Sequence, residues 1–289
     1  MILSPESPDP GWEPAELERR ATAGDAEAAH RCAVLAGIGL GRPHDLAAAM
    51  RFLAQAAALD HPVAAASLAL LEALPGGVAA WSAPPAPRVV SERPHVLVCD
   101  GFVSPAVCDW VIARARPHLT PARVYDLETG EGRLEAIRSN TAHAFGLDDT
   151  DMVLVLLRER LARLAGLPVT GFEPAQALRY TPGQQFDWHV DYLDPATPGH
   201  RDDLARRGQR IATCLVWLGD DCEGGETAFF ASDLRLKGRK GDAVLWANVT
   251  PDGRPDPLSR HAGLPPTSGE KWVLSQWMRP FAPRGRPLS

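Results

Sequence analysis

Two side chains with metal-binding chemistry lie close together in a segment that otherwise has the pattern of a β-strand. In FDWHVDY, residues 186–192, strand alternation would place the apolar side chains on one face and Asp187, His189 and Asp191 on the other. Imidazole and carboxylate groups are ligands for transition metals. A hydrogen-bonded His–Asp pair inside a core explains the same pattern, so the triplet alone leaves both interpretations open.

A second triplet with the same spacing, His200-Arg201-Asp202, lies in a different context. It belongs to DPATPGHRDDLARRG, a polar segment with prolines and glycines that indicates a solvated or mobile loop rather than a strand. The surrounding segment, residues 193–208, is predicted to be either a lid over the substrate or an ordinary surface connection. We therefore expect the first triplet to carry any metal chemistry.

A third ligand must come from a distant strand, because one strand cannot surround a metal ion. His261 is the only histidine after residue 200, and it precedes another β-like segment. Two histidines and one carboxylate around a metal with open positions are typical of non-haem iron(II) oxygenases. Lys271 lies in an otherwise apolar strand and favours this interpretation, since a buried lysine requires an anionic partner. A lysine at the surface is the alternative.

Composition restricts the classes of function. The chain has 289 residues, 45% hydrophobic and 23% charged, which is typical of a globular protein with one large or two smaller domains. A net charge of −6 argues against nucleic acid and membrane surfaces as partners, and no apolar run has the length of a membrane helix. Five cysteines without C-x-x-C spacing and a start without a secretory pattern predict a cytoplasmic protein with reduced thiols.

Residues 15–75 are predicted to form a small region of helical repeats. AGDAEAAHRCAVLAGIG (23–39) is echoed by LDHPVAAASLALLEALP (59–75) at an offset of 36, and such a period is typical of helix–turn–helix repeats. The region resembles Sel-type, tetratricopeptide-like repeats. With about two repeats visible, it serves either for helical packing or as a binding surface for a protein partner.

The rest of the chain has a different pattern. Residues 76–94 are rich in proline and predict a linker or an extended crossing. A strand, a helix capped by Ser104 and a long helix at 148–166 follow, and short β-rich segments begin at residue 174. The sequence therefore predicts an α+β protein whose last domain, residues 95–282, is built on a β-sandwich or barrel.

Four motifs in this order resemble the prolyl 4-hydroxylase-like 2-oxoglutarate and iron(II) dioxygenases. They are QALRYTPGQQFDWHVDY, QRIATCLVWLGDDCEGGETAFF, KGRKGDAVLWAN and SRHAGLPPTSGEKWVLSQW, and IRSN at 137–140 matches a weaker upstream feature. The resemblance covers roughly residues 95–280. It implies a double-stranded β-helix, or jelly roll, with supporting helices.

The resemblance also implies roles for individual residues. His189, Asp191 and His261 would hold iron(II), and Lys271 would form a salt bridge with the far carboxylate of 2-oxoglutarate. Tyr180 and Thr213 would line the pocket of this cosubstrate. Residues 224–227, GGET, match a turn and strand start that we interpret as structural. Ascorbate would be an additional reductant.

The expected reaction is hydroxylation of a prolyl residue in a peptide or protein, with release of succinate and carbon dioxide. One alternative is the same chemistry on a free amino acid or small metabolite. Another is an inactive barrel that acts as a binding protein through the helical repeats. A proline-peptide substrate predicts an open groove beside the iron, whereas a free amino acid requires a closed pocket with a charged clamp.

Overall fold

The structure is a computed structural model that describes residues 12–125, 132–133 and 137–280. It confirms the α+β class: eight α-helices and sixteen short strands are present in these ranges. The helices are α1 (Pro14–Thr22), α2 (Ala26–Ile38), α3 (Leu46–Ala58), α4 (Pro62–Glu72), α5 (Gly77–Trp81), α6 (Pro105–Ala115), α7 (Met152–Ala165) and α8 (Pro198–Arg207). Three short 3₁₀ helices lie at Arg116–His118, Val169–Gly171 and Pro257–Ser259.

The first compact unit is helical and contains the described residues up to 84 together with 146–163. The offset of 36 in the sequence corresponds to α2 and α4, which begin after the capping residues Asp25 and His61. Each cap accepts a hydrogen bond from a backbone N–H in the first turn of its helix. The repeated region is therefore helical, whereas its Sel-type character stays a prediction.

Helix α7 also belongs to this first unit. A side chain added at Gly37 of α2 would meet Val155 at 2.8 Å and Met152 at 3.3 Å, so the two helices pack closely at this glycine. Asp151 accepts hydrogen bonds from the N–H groups of Val153 and Leu154 and caps the helix. The helix predicted at 148–166 is thus present, although its neighbours are the N-terminal helices.

The stretch predicted as a linker contains regular structure. Helix α5 lies within residues 76–94, and so does the strand β1 (Arg88–Glu92), which pairs with β2. The boundaries 15–75, 76–94 and 95–282 stay predictions, and residues 281–282 lie outside the described ranges.

The second compact unit contains the described parts of residues 85–145 and 164–280 and is built on antiparallel sheets. Its main sheet has eight strands in the order β1-β2-β13-β9-β16-β7-β6-β3, and a smaller sheet has the order β12-β11-β14-β8. The two-stranded sheets β10-β15 and β4-β5 complete it. The strands after β1 are β2 (His95–Cys99), β3 (Thr120–Pro121), β4 (Val124–Tyr125), β5 (Gly132–Arg133), β6 (Thr141–Ala144), β7 (Gln176–Tyr180), β8 (Phe186–His189), β9 (Ala212–Trp217), β10 (Glu223–Gly224), β11 (Thr227–Phe229), β12 (Arg235–Leu236), β13 (Ala243–Ala247), β14 (His261–Gly263), β15 (Pro266–Ser268) and β16 (Lys271–Met278).

Alternate residues of the central strands form the core of this unit. Val96, Leu178, Trp246 and Val273, each from a different strand of the main sheet, pack in one buried cluster. Phe229 from the smaller sheet belongs to the same cluster. Both sheets therefore contribute side chains to one interior, which is the arrangement expected of a double-stranded β-helix.

The expectation of a solvated or mobile loop around residues 198–207 is wrong. These residues form α8, in which His200 and Asp203 are buried. Pro198 stands at the start of the helix, and Gly208, with φ of 73°, directly follows its end. Asp203 pairs with Arg207 and Arg279, so the charged residues of this segment are partly internal. A lid function for 193–208 stays a prediction.

None of the helices described is long and apolar enough to cross a membrane. The five cysteines are buried and form no disulfide.

Candidate active site

Two histidines meet across neighbouring strands of the smaller sheet. His189 ends β8, His261 begins β14, and the two residues are direct partners in the strand pairing. Their ring centroids are 4.3 Å apart. The antiparallel pairing of β8 with β14 therefore brings together two histidines that are 72 positions apart in the sequence.

Asp191 completes the group from outside the sheet. It lies in a bend two residues after β8, with its Oδ1 3.7 Å from Nε2 of His189 and its Oδ2 3.5 Å from Nε2 of His261. One ligand atom from each of the three residues lies within 4.8 Å of the other two. Within the described ranges, no other group of three His, Cys, Asp or Glu residues meets this condition.

The hydrogen bonds of the imidazoles leave their Nε2 atoms available. Nδ1 of His189 lies 2.7 Å from the carbonyl oxygen of Asp187, and Nδ1 of His261 lies 2.9 Å from that of Ser259. A carbonyl only accepts, so each Nδ1 carries the proton and each Nε2 presents a lone pair. This tautomer is the one that a metal requires, and a direct His–Asp hydrogen bond has no support here.

The protonation states fit metal binding. Burial, together with the neighbouring His261, lowers the pKa of His189 to about 3, so its ring is neutral near pH 7. Burial alone would raise the pKa of Asp191, but His261, His189 and the hydroxyl of Thr213 hold it below its ordinary value. The group therefore offers a neutral imidazole at His189 and an ionised carboxylate at Asp191.

The face pattern predicted for FDWHVDY is wrong in one respect. Two residues separate Phe186 from His189, but only one separates their partners Gly263 and His261, so β8 contains a bulge. Phe186 consequently lies on the same side as His189, and the two rings stack with centroids 3.4 Å apart. Trp188 instead contacts Phe230, which is 59% exposed.

A buried cation lies in the same cavity as the metal-ligand group. Lys271 begins β16, is 3% exposed, and burial lowers its pKa to about 8 despite the nearby Cys222 and Glu226. Its Nζ has only a long contact, 3.5 Å, with the carbonyl oxygen of Glu226 and lies 4.9 Å from the ring centre of Tyr180. No carboxylate of the described residues pairs with it.

Gly263 keeps the space beside this cation open. A Cβ atom at this position would lie 3.3 Å from Oη of Tyr180 and 3.5 Å from Nζ of Lys271. Thr227 is paired with Gly263 in the strand register and is 1% exposed, and its hydroxyl has no hydrogen-bond partner among the described residues. A lysine, a tyrosine and a threonine thus lie around one small space without a bound partner.

Both groups line a single open cavity with about 420 Å³ of space, measured out to its mouth. Its walls come from β7, β9, β13 and β16 of the main sheet and from β8, β11 and β14 of the smaller one. Arg138, in the IRSN stretch, is buried in the wall over the ring of Phe186, and it donates hydrogen bonds to three uncharged acceptors: the side-chain oxygens of Asn140 and Gln176 and the backbone carbonyl oxygen of Arg123.

Comparison with known proteins identifies the family. The profile of the 2OG-Fe(II) oxygenase superfamily matches residues 175–279. Prolyl 4-hydroxylase 1 of Arabidopsis thaliana is 36% identical over 67% of this chain and 71% of its own length. Prolyl 4-hydroxylase 2 of the same plant is 32% identical over 66% and 69%.

This chain belongs to the prolyl 4-hydroxylase family of 2OG-Fe(II) oxygenases. A solved relative is the viral collagen prolyl hydroxylase of Paramecium bursaria Chlorella virus-1 in complex with 2-oxoglutarate, which is 27% identical. The alignment has a TM-score of 0.50 and covers 64% of this chain and 96% of the viral one. The prediction of a 2-oxoglutarate-dependent dioxygenase that uses iron(II) is confirmed.

The residues of this oxygenase fit both groups that the family requires. Iron(II) in such enzymes takes two histidines and one carboxylate, which is the donor set of His189, Asp191 and His261. A dicarboxylate such as 2-oxoglutarate would supply the anion that buried Lys271 lacks. The space at Gly263, which any larger residue would fill, lies beside that cation.

Two threonines of this cavity have hydrogen-bonding situations that the sequence did not show. Thr213 lines the cavity, and its hydroxyl donates a 2.7 Å hydrogen bond to Oδ2 of Asp191; its contact with the cosubstrate stays a prediction. Thr227 was interpreted as structural, yet its unpartnered hydroxyl faces the cavity that Lys271 lines. A signal for Thr227 was available, because strand alternation sets its side chain with that of Phe229 on the inner face of β11.

Proposed function

We propose that this oxygenase hydroxylates a prolyl residue of a peptide or protein, with His189, Asp191 and His261 as the iron ligands. The observation that carries the proposal is one cavity with a group of two histidines and one carboxylate at one place and, at another, a buried lysine that no carboxylate of the described residues pairs with. Iron(II) with 2-oxoglutarate and dioxygen supplies the oxidising chemistry, and succinate and carbon dioxide are the co-products.

The protein would hold and orient the reactants. Lys271 would pair with the far carboxylate of 2-oxoglutarate, and the hydroxyls of Tyr180 and Thr227 would donate hydrogen bonds to it. Binding at this end would fix the direction in which the keto acid reaches toward the metal ligands. In this proposal Thr213 acts on Asp191, and Thr227 takes the contact with the cosubstrate.

The apolar walls would exclude water from the reacting end. Phe186 stacks on the ring of His189, and Trp246 lies edge-on to the ring of His261 with centroids 4.6 Å apart. These rings restrict the movement of both imidazoles and remove polar groups that could compete for the metal. Each histidine therefore has an aromatic neighbour on one side and a backbone carbonyl holding its Nδ1.

The choice of a prolyl substrate rests on the relatives. The plant relatives at 36% and 32% identity are prolyl 4-hydroxylases, and the viral relative acts on collagen. The choice between an open groove for a peptide and a closed pocket for a free amino acid stays a prediction. A protein partner for the helical repeats, a cytoplasmic location and a use of ascorbate as reductant are parts of the proposal that rest on sequence alone.

An anaerobic titration tests the cosubstrate site without knowledge of the substrate. Apo-protein is titrated with iron(II) and then 2-oxoglutarate, and the weak visible charge-transfer band of the chelate is recorded. We expect the band in the wild type and its loss in His189→Ala. A folded, iron-loaded wild type without the band would exclude the proposal.

Peptide hydroxylation is then measured by mass spectrometry. Proline-containing peptides and free proline are compared at equal concentration with the iron(II)-loaded protein, in the presence of 2-oxoglutarate, dioxygen and ascorbate. A gain of one oxygen atom on the peptide supports the proposed substrate class. Oxidation of free proline alone, with peptides unchanged, would replace it by the amino-acid alternative.

A further inference from the structure

Asp191 is the one member of the metal-ligand group that no strand fixes. His189 and His261 are held by the pairing of β8 with β14, whereas Asp191 lies in a bend beyond the end of β8. A carboxylate has two oxygens, and a bend has more backbone freedom than a paired strand. Something else must therefore keep this carboxylate in place when the site is empty.

The residue that holds Asp191 stands on the main sheet. Thr213 lies in the second position of β9, where it is paired with Trp246 on one side and Trp277 on the other. Its Oγ1 is 2.7 Å from Oδ2 of Asp191. A strand in the centre of the eight-stranded sheet thus provides the rigid support that the bend lacks.

Asn248 fixes the direction of this hydrogen bond. Its Nδ2 lies 2.8 Å from Oγ1 of Thr213, and Asn248 is 0% exposed. Since the ionised Asp191 only accepts, Thr213 must donate to it and must accept from Asn248. The amide orientation follows from this order, and Oδ1 of Asn248 is the atom left without a partner.

The backbone of Asn248 is itself held on both sides. Its N–H donates to the carbonyl oxygen of Ile211, two residues before Thr213, at 2.9 Å. Its own carbonyl oxygen accepts from the N–H of Asp256 at 3.0 Å. The amide group therefore has little freedom to turn away from the threonine.

We propose that Asn248 and Thr213 form a positioning relay that holds the Asp191 carboxylate in its metal-binding orientation. The inference rests on the proposed function, in which Asp191 is an iron ligand. In the relay the Asn248 amide donates to the threonine hydroxyl, and the hydroxyl donates to one carboxylate oxygen, leaving the other oxygen free for the metal. Neither residue touches the metal, and both act through Asp191.

Metal affinity tests the relay apart from activity. Anaerobic calorimetry with iron(II) alone, repeated with manganese(II), is carried out on wild type, Thr213→Val and Thr213→Ser. Removal of groups that orient a metal ligand typically weakens metal binding by about 10- to 100-fold, and we expect this range for Thr213→Val. Thr213→Ser retains the hydroxyl and should bind within about threefold of wild type.

Asn248→Leu tests the first step of the relay. It keeps the volume of the side chain but removes the donor, so the threonine hydroxyl can turn away from Asp191. We expect weaker metal binding in the same direction as Thr213→Val and by a smaller factor. An unchanged affinity in this variant would remove Asn248 from the relay.

Thr227→Val is the matched control, because Thr227 lies in the same cavity but has no partner. It should leave metal affinity unchanged and weaken 2-oxoglutarate binding to the metal-loaded protein. Thermal unfolding of all variants checks that each is folded.

The outcomes separate the two proposals. If the wild type binds no iron, the proposed function fails before the relay is tested. If the wild type binds iron and Thr213→Val binds it equally well while folded, the relay is overturned and the function stands. Loss of affinity in Thr213→Val but equally in Thr227→Val would indicate a general disturbance of the cavity and would also overturn the relay.

Discussion

Two buried cations mark opposite ends of β16, and they differ in their partners. Lys271, at the first residue of the strand, is 3% exposed and forms no ion pair with a carboxylate of the described residues. Arg279, just past the last, is 1% exposed and contacts Glu173 at 2.7 Å, Asp203 at 2.8 Å and the carbonyl oxygen of Gly208. At the Arg279 end of the strand, which we call the complete end, the buried cation is paired with carboxylates of the chain. At the Lys271 end, which we call the incomplete end, it is not.

The complete end is a network that joins several elements. Both carboxylate oxygens of Glu173 accept hydrogen bonds from Arg210, at 2.6 and 2.8 Å, and the carboxylate also accepts one from Arg279. Arg210 in turn lies 3.8 Å from the ring centre of Trp277. Asp203, a residue of α8, accepts a hydrogen bond from Arg279 and so connects this helix to the network. Each charge in this cluster has its opposite within the chain, so its contribution is to the folded structure.

The comparison teaches how to separate structural charges from ligand-binding charges in this fold. A buried charge costs free energy unless it is paired, and the chain supplies the pair at the Arg279 end. At the Lys271 end it supplies hydroxyls and an open space instead. The incomplete end is therefore the place that we propose for an anionic ligand, and the complete end is where substitutions should affect stability first.

The largest expected effect is on stability at the complete end. Arg279→Met leaves Glu173 and Asp203 buried with one cation fewer, and breaking such a network typically costs about 3–5 kcal/mol of unfolding free energy. Urea unfolding followed by circular dichroism measures the change. Arg239→Met is the control, because Arg239 is exposed and its ion pair with Asp242 at 3.8 Å should contribute little. If both substitutions lowered the unfolding free energy equally, the contrast between the buried network and an exposed ion pair would be wrong.

The loss of folding stability in acid should also depend on the complete end of the strand. Burial would raise the pKa of Glu173, but Arg210 and Arg279 hold it at about 2. A lowered folded-state pKa contributes stability above the unfolded value, near 4.5, and this is lost as the pH falls toward 2. The contribution is about 3 kcal/mol. Glu173→Gln should lose it at neutral pH and show a flatter stability profile between these values, whereas exposed Glu16→Gln should match the wild-type profile.

At the incomplete end we expect loss of binding without loss of stability. Lys271→Met removes an unpaired buried charge, so the ligand-free protein should unfold at the same urea concentration as wild type or higher. Its affinity for 2-oxoglutarate should fall about 100-fold, since a charge-assisted contact in a buried site is lost. Calorimetry with the metal-loaded protein measures this. Lys240→Met is the control: it removes a lysine that is paired with Asp109 outside the cavity, so the affinity for 2-oxoglutarate should stay unchanged. A severe loss of stability in Lys271→Met would contradict the comparison.

The smallest expected effect is a pH dependence of cosubstrate binding. Because the pKa of Lys271 is about 8, raising the pH above this value removes the charge, and 2-oxoglutarate affinity should fall by up to about tenfold per pH unit. The stability of the ligand-free protein should change in the opposite direction. Between about pH 8 and 10.5 the unfolded state binds more protons at this lysine, so stability rises with pH.

Lys271→Arg is the control for this pH dependence. Its guanidinium stays protonated across the range, so cosubstrate binding should lose its dependence on pH even if it is weaker overall. The same fall in affinity in Lys271→Arg as in wild type would assign the titration to another group.

Local sequence patterns gave a large part of the architecture. The repeat offset of 36 matches α2 and α4, and Ser104 caps α6. The segment KWVLSQWM forms the strand β16, and its first residue, Lys271, is buried. These signals depend on residues close together along the chain, because capping, turn formation and strand alternation are local. The α-helical region within 198–207 was missed because its charges indicated solvent, and the partner of Asp203 lies 76 residues away.

The site was predictable in part for the same reason. The types and order of His189, Asp191 and His261 indicated a metal site, the resemblance to a family added 2-oxoglutarate at Lys271, and the bulge that brings Phe186 beside His189 did not show in a strict alternation. The different roles proposed for Thr213 and Thr227 rest on a tertiary difference: the hydroxyl of Thr213 bonds to Asp191 and Asn248, and that of Thr227 has no partner among the described residues. Both are threonines at the inner face of a strand, and sequence alone does not distinguish them.

By itself, then, the sequence determined the chemical inventory: a helical region, a β-rich region and a set of side chains able to hold iron and a dicarboxylate. Only the tertiary structure decided which of these side chains are left without a partner. The register of β14 on β8 brings the two histidines together, and that of β16 on β7 sets Lys271 beside Tyr180. Whether a buried charge is paired depends on contacts between distant strands, and that is the physical reason why the sequence does not show that Arg279 is paired and Lys271 is not.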